Sequence, residues 1–207
     1  MELSEALRRR RMVRAYDPAR PVPEGALEAV VRAALRAPSA GFTQGTSLLV
    51  LTEEVDRDAF WEETSGDRAS RWLTGMRTAP TLLLVWTSEA AYLDRYAEAD
   101  KGWTARDTGR WSAPYWFVDA GMASMAALLA AVDADLGACF FGVPPPRVAA
   151  VRDRFGVPPD QLSVGVISLG YAAPEEAVSG SANRRARKPE SALVHRGRWQ
   201  GALIDGG

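Results

Sequence analysis

The sequence predicts an α+β domain. Helical periodicities and short apolar runs follow one another without a regular βαβ rhythm, and the chain is apolar enough for one sizeable core. Its 207 residues are 47% hydrophobic. The Pro/Gly-rich pieces are short and no internal repeat or low-complexity tract divides the chain, so one domain is expected over 1–207.

The elements follow in order. The opening segment carries Arg8, Arg9, Arg10 and Arg11, then Met12 and Arg14. If its helix runs this far, Arg10 and Arg14 stand at i and i+4 on one face, where two guanidinium forks can share an anionic ligand. Pro23 suits a first helical turn, and Leu27, Val30, Val31, Ala34 and Leu35 repeat at helical spacing, which predicts a helix over 24–36 that Pro38 stops. Pro38 to Gln44 is then a loop at a helix end. Runs at 48–52, 81–87 and 162–169, rich in Leu, Val and Thr, read as buried strands. Helical patterns lie near 55–63, 120–134 and 146–155.

Between about 88 and 118 the chain is dense in aromatic residues without regular periodicity: Tyr92, Tyr96, Trp103, Trp111, Tyr115, Trp116 and Phe117 stand among Arg95, Lys101, Arg106 and Arg110. This predicts a long excursion whose aromatic content argues against disorder. It is equally a satellite cluster or a functional loop. The apolar run from Ala120 to Val132 is short of the roughly 20 residues that cross a bilayer, which predicts a buried helix and no membrane partner.

A formal net charge of −1 argues against generic polyanion binding and for a small anion as partner. The single Cys139 forms no internal disulfide, and the N-terminus lacks an apolar signal segment, so a cytoplasmic protein is expected. No phosphate-binding loop, dinucleotide fingerprint, nucleophile elbow or zinc spacing occurs, and no metal is expected. The lone His195 reads as a surface or packed terminal residue. A second basic cluster, Arg184, Arg185, Arg187 and Lys188, lies near the other end. On charge alone, two clusters meeting around a phosphate and two solvated basic faces are equally open.

Five segments in order decide between them: Arg10 to Tyr16, Ala37 to Gln44, the small-residue stretch from Ala120 to Gly142 closing on Leu136-Gly137-Ala138-Cys139-Phe140-Phe141-Gly142, Leu169-Gly170-Tyr171, and Arg187-Lys188-Pro189. Together they resemble the nitroreductase family of FMN-dependent oxidoreductases. The resemblance implies a mixed or antiparallel sheet flanked by helices, and a homodimer with the 120–134 helix in its interface. It implies FMN, with NADH or NADPH as electron donor and a nitroaromatic, quinone or related flat small molecule as acceptor, by a ping-pong mechanism.

The same resemblance assigns the FMN phosphate to Arg10 and Arg187, with Arg185 and Arg11, beside Met12. It places Arg14 near the pyrimidine edge as a tuner of the flavin, with no side chain strictly catalytic. Pro38, Ser39, Ala40, Gly41 and Gln44 reach the ribityl chain and ring edge across the dimer, and Cys139, Phe140, Phe141 and Gly142 pack against the ring. Phe42, Trp103, Trp111, Tyr115 and Trp116 line the substrate side. Phe42 replaces the family's usual Asn, and Gly45-Thr46 its Pro-Trp, so an aromatic contact stands where relatives have a polar one. Alternatives are a specialised branch (flavin destruction to a benzimidazole, reductive dehalogenation or deazaflavin-linked reduction) and a non-enzymatic nucleotide or nucleic-acid binding module.

Overall fold

The computed structural model describes residues 1–65, 69–103, 105–174 and 185–199. Contacts divide the chain into a main unit, Met1–Glu176, and a C-terminal unit, Ala177–Gly207. Among the described residues the main unit carries α1 (Leu3–Arg9), α2 (Glu24–Leu35), α3 (Glu54–Ser65), α4 (Arg71–Arg77), α5 (Glu89–Tyr96), α6 (Tyr115–Asp133) and α7 (Val148–Arg154). Its strands are β1 (Thr46–Leu51), β2 (Thr81–Thr87), β3 (Gly137–Phe141) and β4 (Leu162–Gly170). They form one antiparallel sheet in the order β1-β2-β4-β3. The fold is α+β, as the sequence predicts.

Every residue of β2 is buried, and its alternating side chains feed two cores. Leu82, Leu84 and Trp86 pack with Phe60 and Trp61 of α3, Leu73 and Met76 of α4 and Val151 of α7. Leu83 and Val85 face Val30 and Ala34 of α2 and the Ala120, Ala123, Ala127, Ala131 stripe of α6. Those alanines let α6 lie close to the sheet. A seven-residue run that is apolar on both faces is legible without periodicity, and the expected strand at 81–87 has the observed boundaries.

The opening helix differs from expectation. It ends at Arg9, and Arg10 already has extended geometry, φ −58° and ψ 121°. Arg10 and Arg14 therefore do not share a helix face. Pairing to the sheet outcompetes helix propensity here: Met12 bridges Ala138, the Val13 N–H donates to the Ala138 carbonyl at 3.0 Å, and the Phe140 N–H meets the Met12 sulfur at 3.4 Å. Asp17 N–H to Tyr171 O, 2.9 Å, and Ala173 N–H to Ala15 O, 3.0 Å, continue the pairing past β4. The segment covers the free edge of β3.

Two further differences concern the aromatic region. Its first third is helical, as α5, and its last residues begin α6 at Tyr115 rather than Ala120. The resulting 19-residue helix is long and apolar enough to cross a membrane by length and composition, and half of its apolar window is buried inside this fold, where a buried helix was expected. Phe117, Val118, Met122 and Met125 remain exposed on its outer face. In the C-terminal unit the His195 ring packs on Trp199 with centroids 4.2 Å apart.

A Cβ on Gly75 of α4 would lie 2.2 Å from the Arg14 carbonyl oxygen, whereas one on Gly25 would meet nothing within 4 Å. Gly75→Ala is expected to destabilise the protein by about 1–3 kcal/mol, as overpacking does. Gly25→Ala should be neutral or stabilising by up to about 1 kcal/mol. Thermal or denaturant unfolding of the two variants checks the contrast.

Candidate functional site

The basic segment is held by the edge of β3, and its cations have different duties. Arg9 is spent on structure: it pairs with Glu5 at 3.7 Å and Asp135 at 2.9 Å, tying α1 to the turn after α6. Arg10, Arg11, Met12 and Arg14 lie in the extended run and are partly buried. Arg14 donates to the Met12 carbonyl at 3.1 Å. Arg11 borders a cavity of about 240 Å³ with Val13, Val132, Gly137 and Ala172.

Further along β3 the side chains alternate. Cys139 is buried in the core, so only its backbone is open to a ligand. Phe140 lies over Gly165, where a Cβ would come within 2.5 Å of its ring. Phe141 stacks on Trp61, with centroids 5.7 Å apart and planes 9° from parallel. At Gly142 the strand opens, because a Cβ there meets nothing within 4 Å. A planar group can approach that backbone closely.

The loop after α2 is strongly constrained. Gly41, Phe42 and Gln44 all have φ between 55° and 62°, a region costly for non-glycine residues. Several contacts hold it there. Phe42 N–H donates to the Ser39 carbonyl at 2.9 Å, Gln44 N–H to Ser39 Oγ at 2.9 Å, and Thr43 Oγ1 to the Ala40 carbonyl at 2.6 Å. Arg95 Nε reaches the Gly41 carbonyl at 2.9 Å. A Cβ on Gly41 or Gly45 would strike the rings of Tyr96 or Tyr92, at 2.7 and 2.5 Å. Phe42 is 75% exposed. A cavity of about 200 Å³ lies beside Pro38, Ser39, Gln44 and Asp119.

Asp119, which sequence reading passed over, is the anchor of this loop. Only 3% exposed, it accepts the Ala40 N–H and the Tyr92 hydroxyl on one carboxylate oxygen, each at 2.7 Å. The available signal was a lone acid inside an apolar helix, hidden when that helix is counted from Ala120. Burial first, and then the hydrogen bond to Asp119, push the Tyr92 phenol well above its ordinary value.

The aromatic region packs on itself. Trp111 is its centre, with ring centroids 4.5 Å from Tyr96, 5.3 Å from Trp103, 5.5 Å from Tyr115, 6.1 Å from Tyr92 and 6.3 Å from Trp116. Arg95 clamps both carboxylate oxygens of Asp100, at 2.7 and 2.9 Å, and holds the Asp100 carboxyl well below the usual carboxylate range. The region is a satellite core that braces the 39–45 loop through Tyr92, Tyr96 and Arg95.

Two tryptophans that the sequence analysis gave no role, Trp61 in the helical pattern at 55–63 and Trp72 outside any expected element, form a second aromatic group. Trp61, Trp72, Phe60 and Phe141 wall a cavity of about 200 Å³ that reaches Gly142. Among the described residues no cluster of His, Cys, Asp and Glu could hold a metal ion. Arg184 lies outside the described residues; Arg185 and Arg187 lie in the C-terminal unit.

The nitroreductase family model matches residues 7–171. The chain belongs to the nitroreductase family. A relative from Methanothermobacter thermautotrophicus, named "Putative NADH dehydrogenase/NAD(P)H nitroreductase", is 28% identical over 175 residues, 84% of this chain and 78% of that protein. Among solved structures, a Desulfovibrio desulfuricans protein crystallised with FMN is 21% identical with a TM-score of 0.71, covering 96% of this chain and 98% of its own. NfrA1 nitroreductase from B. subtilis is 16% identical with a TM-score of 0.74, covering 99% of this chain and 77% of its own. The family match spans the basic segment, the 38–44 loop and the end of β3, while Arg185 and Arg187 lie beyond it.

Asp119→Asn keeps the shape but weakens an acceptor shared by the buried Tyr92 hydroxyl and the half-buried Ala40 N–H, which should cost about 1–3 kcal/mol and lower the melting temperature by several degrees. Because the Tyr92 pKa is raised in the folded state, the stability it contributes is complete below about pH 10, the unfolded value, and is lost as pH rises through the folded value. Ultraviolet titration should therefore give Tyr92→Phe the same phenolate amplitude near pH 10 as the parent. A smaller amplitude there would mean that Tyr92 ionises as an exposed tyrosine does.

Proposed function

We propose that this chain is an FMN-dependent oxidoreductase that takes electrons from NADH or NADPH and passes them to a flat acceptor such as a nitroaromatic or quinone. The observation that carries this reading is the pairing of the basic 10–14 segment with the edge of β3, whose far end opens at Gly142. One strand thus brings guanidinium groups and an open backbone together. Charged forks and an unobstructed peptide suit, in kind, a ligand with a phosphate at one end and a planar ring at the other.

When bound, FMN supplies the hydride-accepting ring. Arg10 and Arg11 would hold its phosphate. Arg14 lies by the pyrimidine edge, where a cation favours the charge gained on reduction. The backbone from Cys139 to Gly142 lines the ring, and the Ser39 to Gln44 loop supplies preset polar groups. Donor and acceptor use one open face in turn, which gives ping-pong kinetics.

The outer face of α6 completes the reading. Val118 is 44% exposed, and Phe117, Met122 and Met125 flank it. A second copy covers this face and brings its own 38–44 loop to the flavin of the first. The cytoplasm, where thiols stay reduced, suits a chain with a single cysteine.

The purified protein should be yellow. Charge-assisted hydrogen bonds contribute roughly 1.5–3 kcal/mol each, so Arg10→Ala should weaken FMN binding about 10- to 100-fold without abolishing it. A colourless protein that FMN cannot reconstitute would sink the assignment. Met122→Asp should convert a dimer to a monomer in sedimentation and release FMN with it. Double-reciprocal plots against a quinone should be parallel, and intersecting lines would remove the shared face.

A further inference from the structure

A buried acid and a strained, exposed loop meet at one hydrogen bond, from Ala40 N–H to Asp119. We propose that Asp119 and Arg95 are positioning residues for the flavin. They hold the backbone of the 39–45 loop from two helices, so that the aromatic region from Glu89 to Trp116 acts on the flavin through this loop rather than by touching the acceptor. The proposal rests on the flavin reading above and adds to it the residues that preset the loop.

The loop does not hold its own shape. Gly41, Phe42 and Gln44 have φ of 62°, 55° and 55°, and outside glycine that region persists only where the surroundings impose it. Three grips impose it here. Asp119 of α6 takes the Ala40 N–H at 2.7 Å, Arg95 of α5 donates through Nε to the Gly41 carbonyl at 2.9 Å, and the Gly45 carbonyl accepts the Ser88 N–H at 3.3 Å and Thr87 Oγ1 at 3.2 Å. Each grip acts on the backbone. The side chains of Phe42 and Gln44 stay exposed.

The two helices are tied to each other at the same carboxylate. The Tyr92 hydroxyl of α5 donates at 2.7 Å to the Asp119 oxygen that holds Ala40. Desolvating a carboxylate is costly unless hydrogen bonds compensate. For Asp119, 3% exposed, the compensation comes from the loop on one side and from α5 on the other, so loop and helices hold together as one body.

Arg95 is fixed in turn. Its terminal nitrogens clamp Asp100 at 2.7 and 2.9 Å and reach Glu98 at 3.0 Å, which leaves Nε for the loop. Against the loop stand the Tyr96 and Tyr92 rings, where a Cβ on Gly41 or Gly45 would come within 2.7 and 2.5 Å. Trp111 packs on both rings, at 4.5 and 6.1 Å between centroids. The rings limit the loop's approach and the hydrogen bonds limit its departure.

Double-mutant cycles on FMN affinity test this, by equilibrium titration of flavin fluorescence at a temperature where circular dichroism shows each variant folded. Asp119→Asn, which keeps the shape, and Arg95→Ala, which removes the second clamp, should each weaken FMN about tenfold. Ser39→Ala should cost at most about threefold more once either residue is replaced, because a loop out of place no longer presents its hydroxyl. With Arg10→Ala, on a separate element, the losses should multiply to at least about a hundredfold. Losses that multiply with Ser39→Ala as they do with Arg10→Ala would mean a general weakening of the fold and would overturn the positioning role, as would parental FMN affinity in both variants. Should Asp119→Asn not fold, the Arg95→Ala cycle decides alone. An unaltered protein that binds no FMN would instead overturn the flavin reading, and this proposal with it.

Discussion

The burial of β2 on both faces is the constraint from which the rest of the molecule follows. A strand whose seven residues are all buried needs a helical layer on each side, because either face left open would expose a row of leucine and valine side chains to water. The layers differ. Small residues on α6 allow close packing against one face, and Phe60, Trp61, Leu73 and Met76 fill the other with bulk. The proposed site lies outside these two layers, at the edge of β3.

At the edge of β3 a second constraint acts. Its unpaired groups are met by Met12 and Val13, and Gly137 permits the contact, since a Cβ there would lie 2.8 Å from the Val13 side chain. The cations of the 10–14 run are thereby fixed relative to Gly142 by strand pairing rather than by a helix face. Before β1 the 39–45 loop stores left-handed strain at Phe42 and Gln44, and the surrounding structure over-determines it through Asp119, Arg95 and two tyrosine rings. Such strain persists where a site must be preset for its ligand.

How far the sequence revealed this depends on which forces act locally. The helix at 24–35 is written in its apolar spacing and its Pro38 stop, and β2 in its uninterrupted apolar run. The end of α1 was not legible, because four arginines are good helix formers and only a strand more than a hundred residues away pulls Met12 and Val13 into extended pairing. The region from Glu89 hid α5 and the first turn of α6, since aromatic residues that pack on one another do not keep a 3.6-residue period. Asp119 escaped for a related reason: it lies one residue before the run that marks the helix as apolar. Trp61 and Trp72 carry no pattern of their own, and their joint wall forms only when α3 and α4 meet β3. The family motifs were legible as a set, because their order along the chain is itself information.

The central claim is a site shared between two copies, with Arg10 from one and the Ser39 to Gln44 loop from the other. Mixing two FMN-weakened variants tests it most directly: Arg10→Ala, and Ser39→Ala with Gln44→Gly, the glycine chosen to tolerate the positive φ. In a heterodimer of the two, one site regains both intact halves and the other loses both. After random exchange of subunits, about one quarter of all sites should recover parental FMN affinity, as read by equilibrium titration of flavin fluorescence. If no tight site returns although sedimentation confirms that heterodimers have formed, each flavin is held within a single chain and the shared site is wrong.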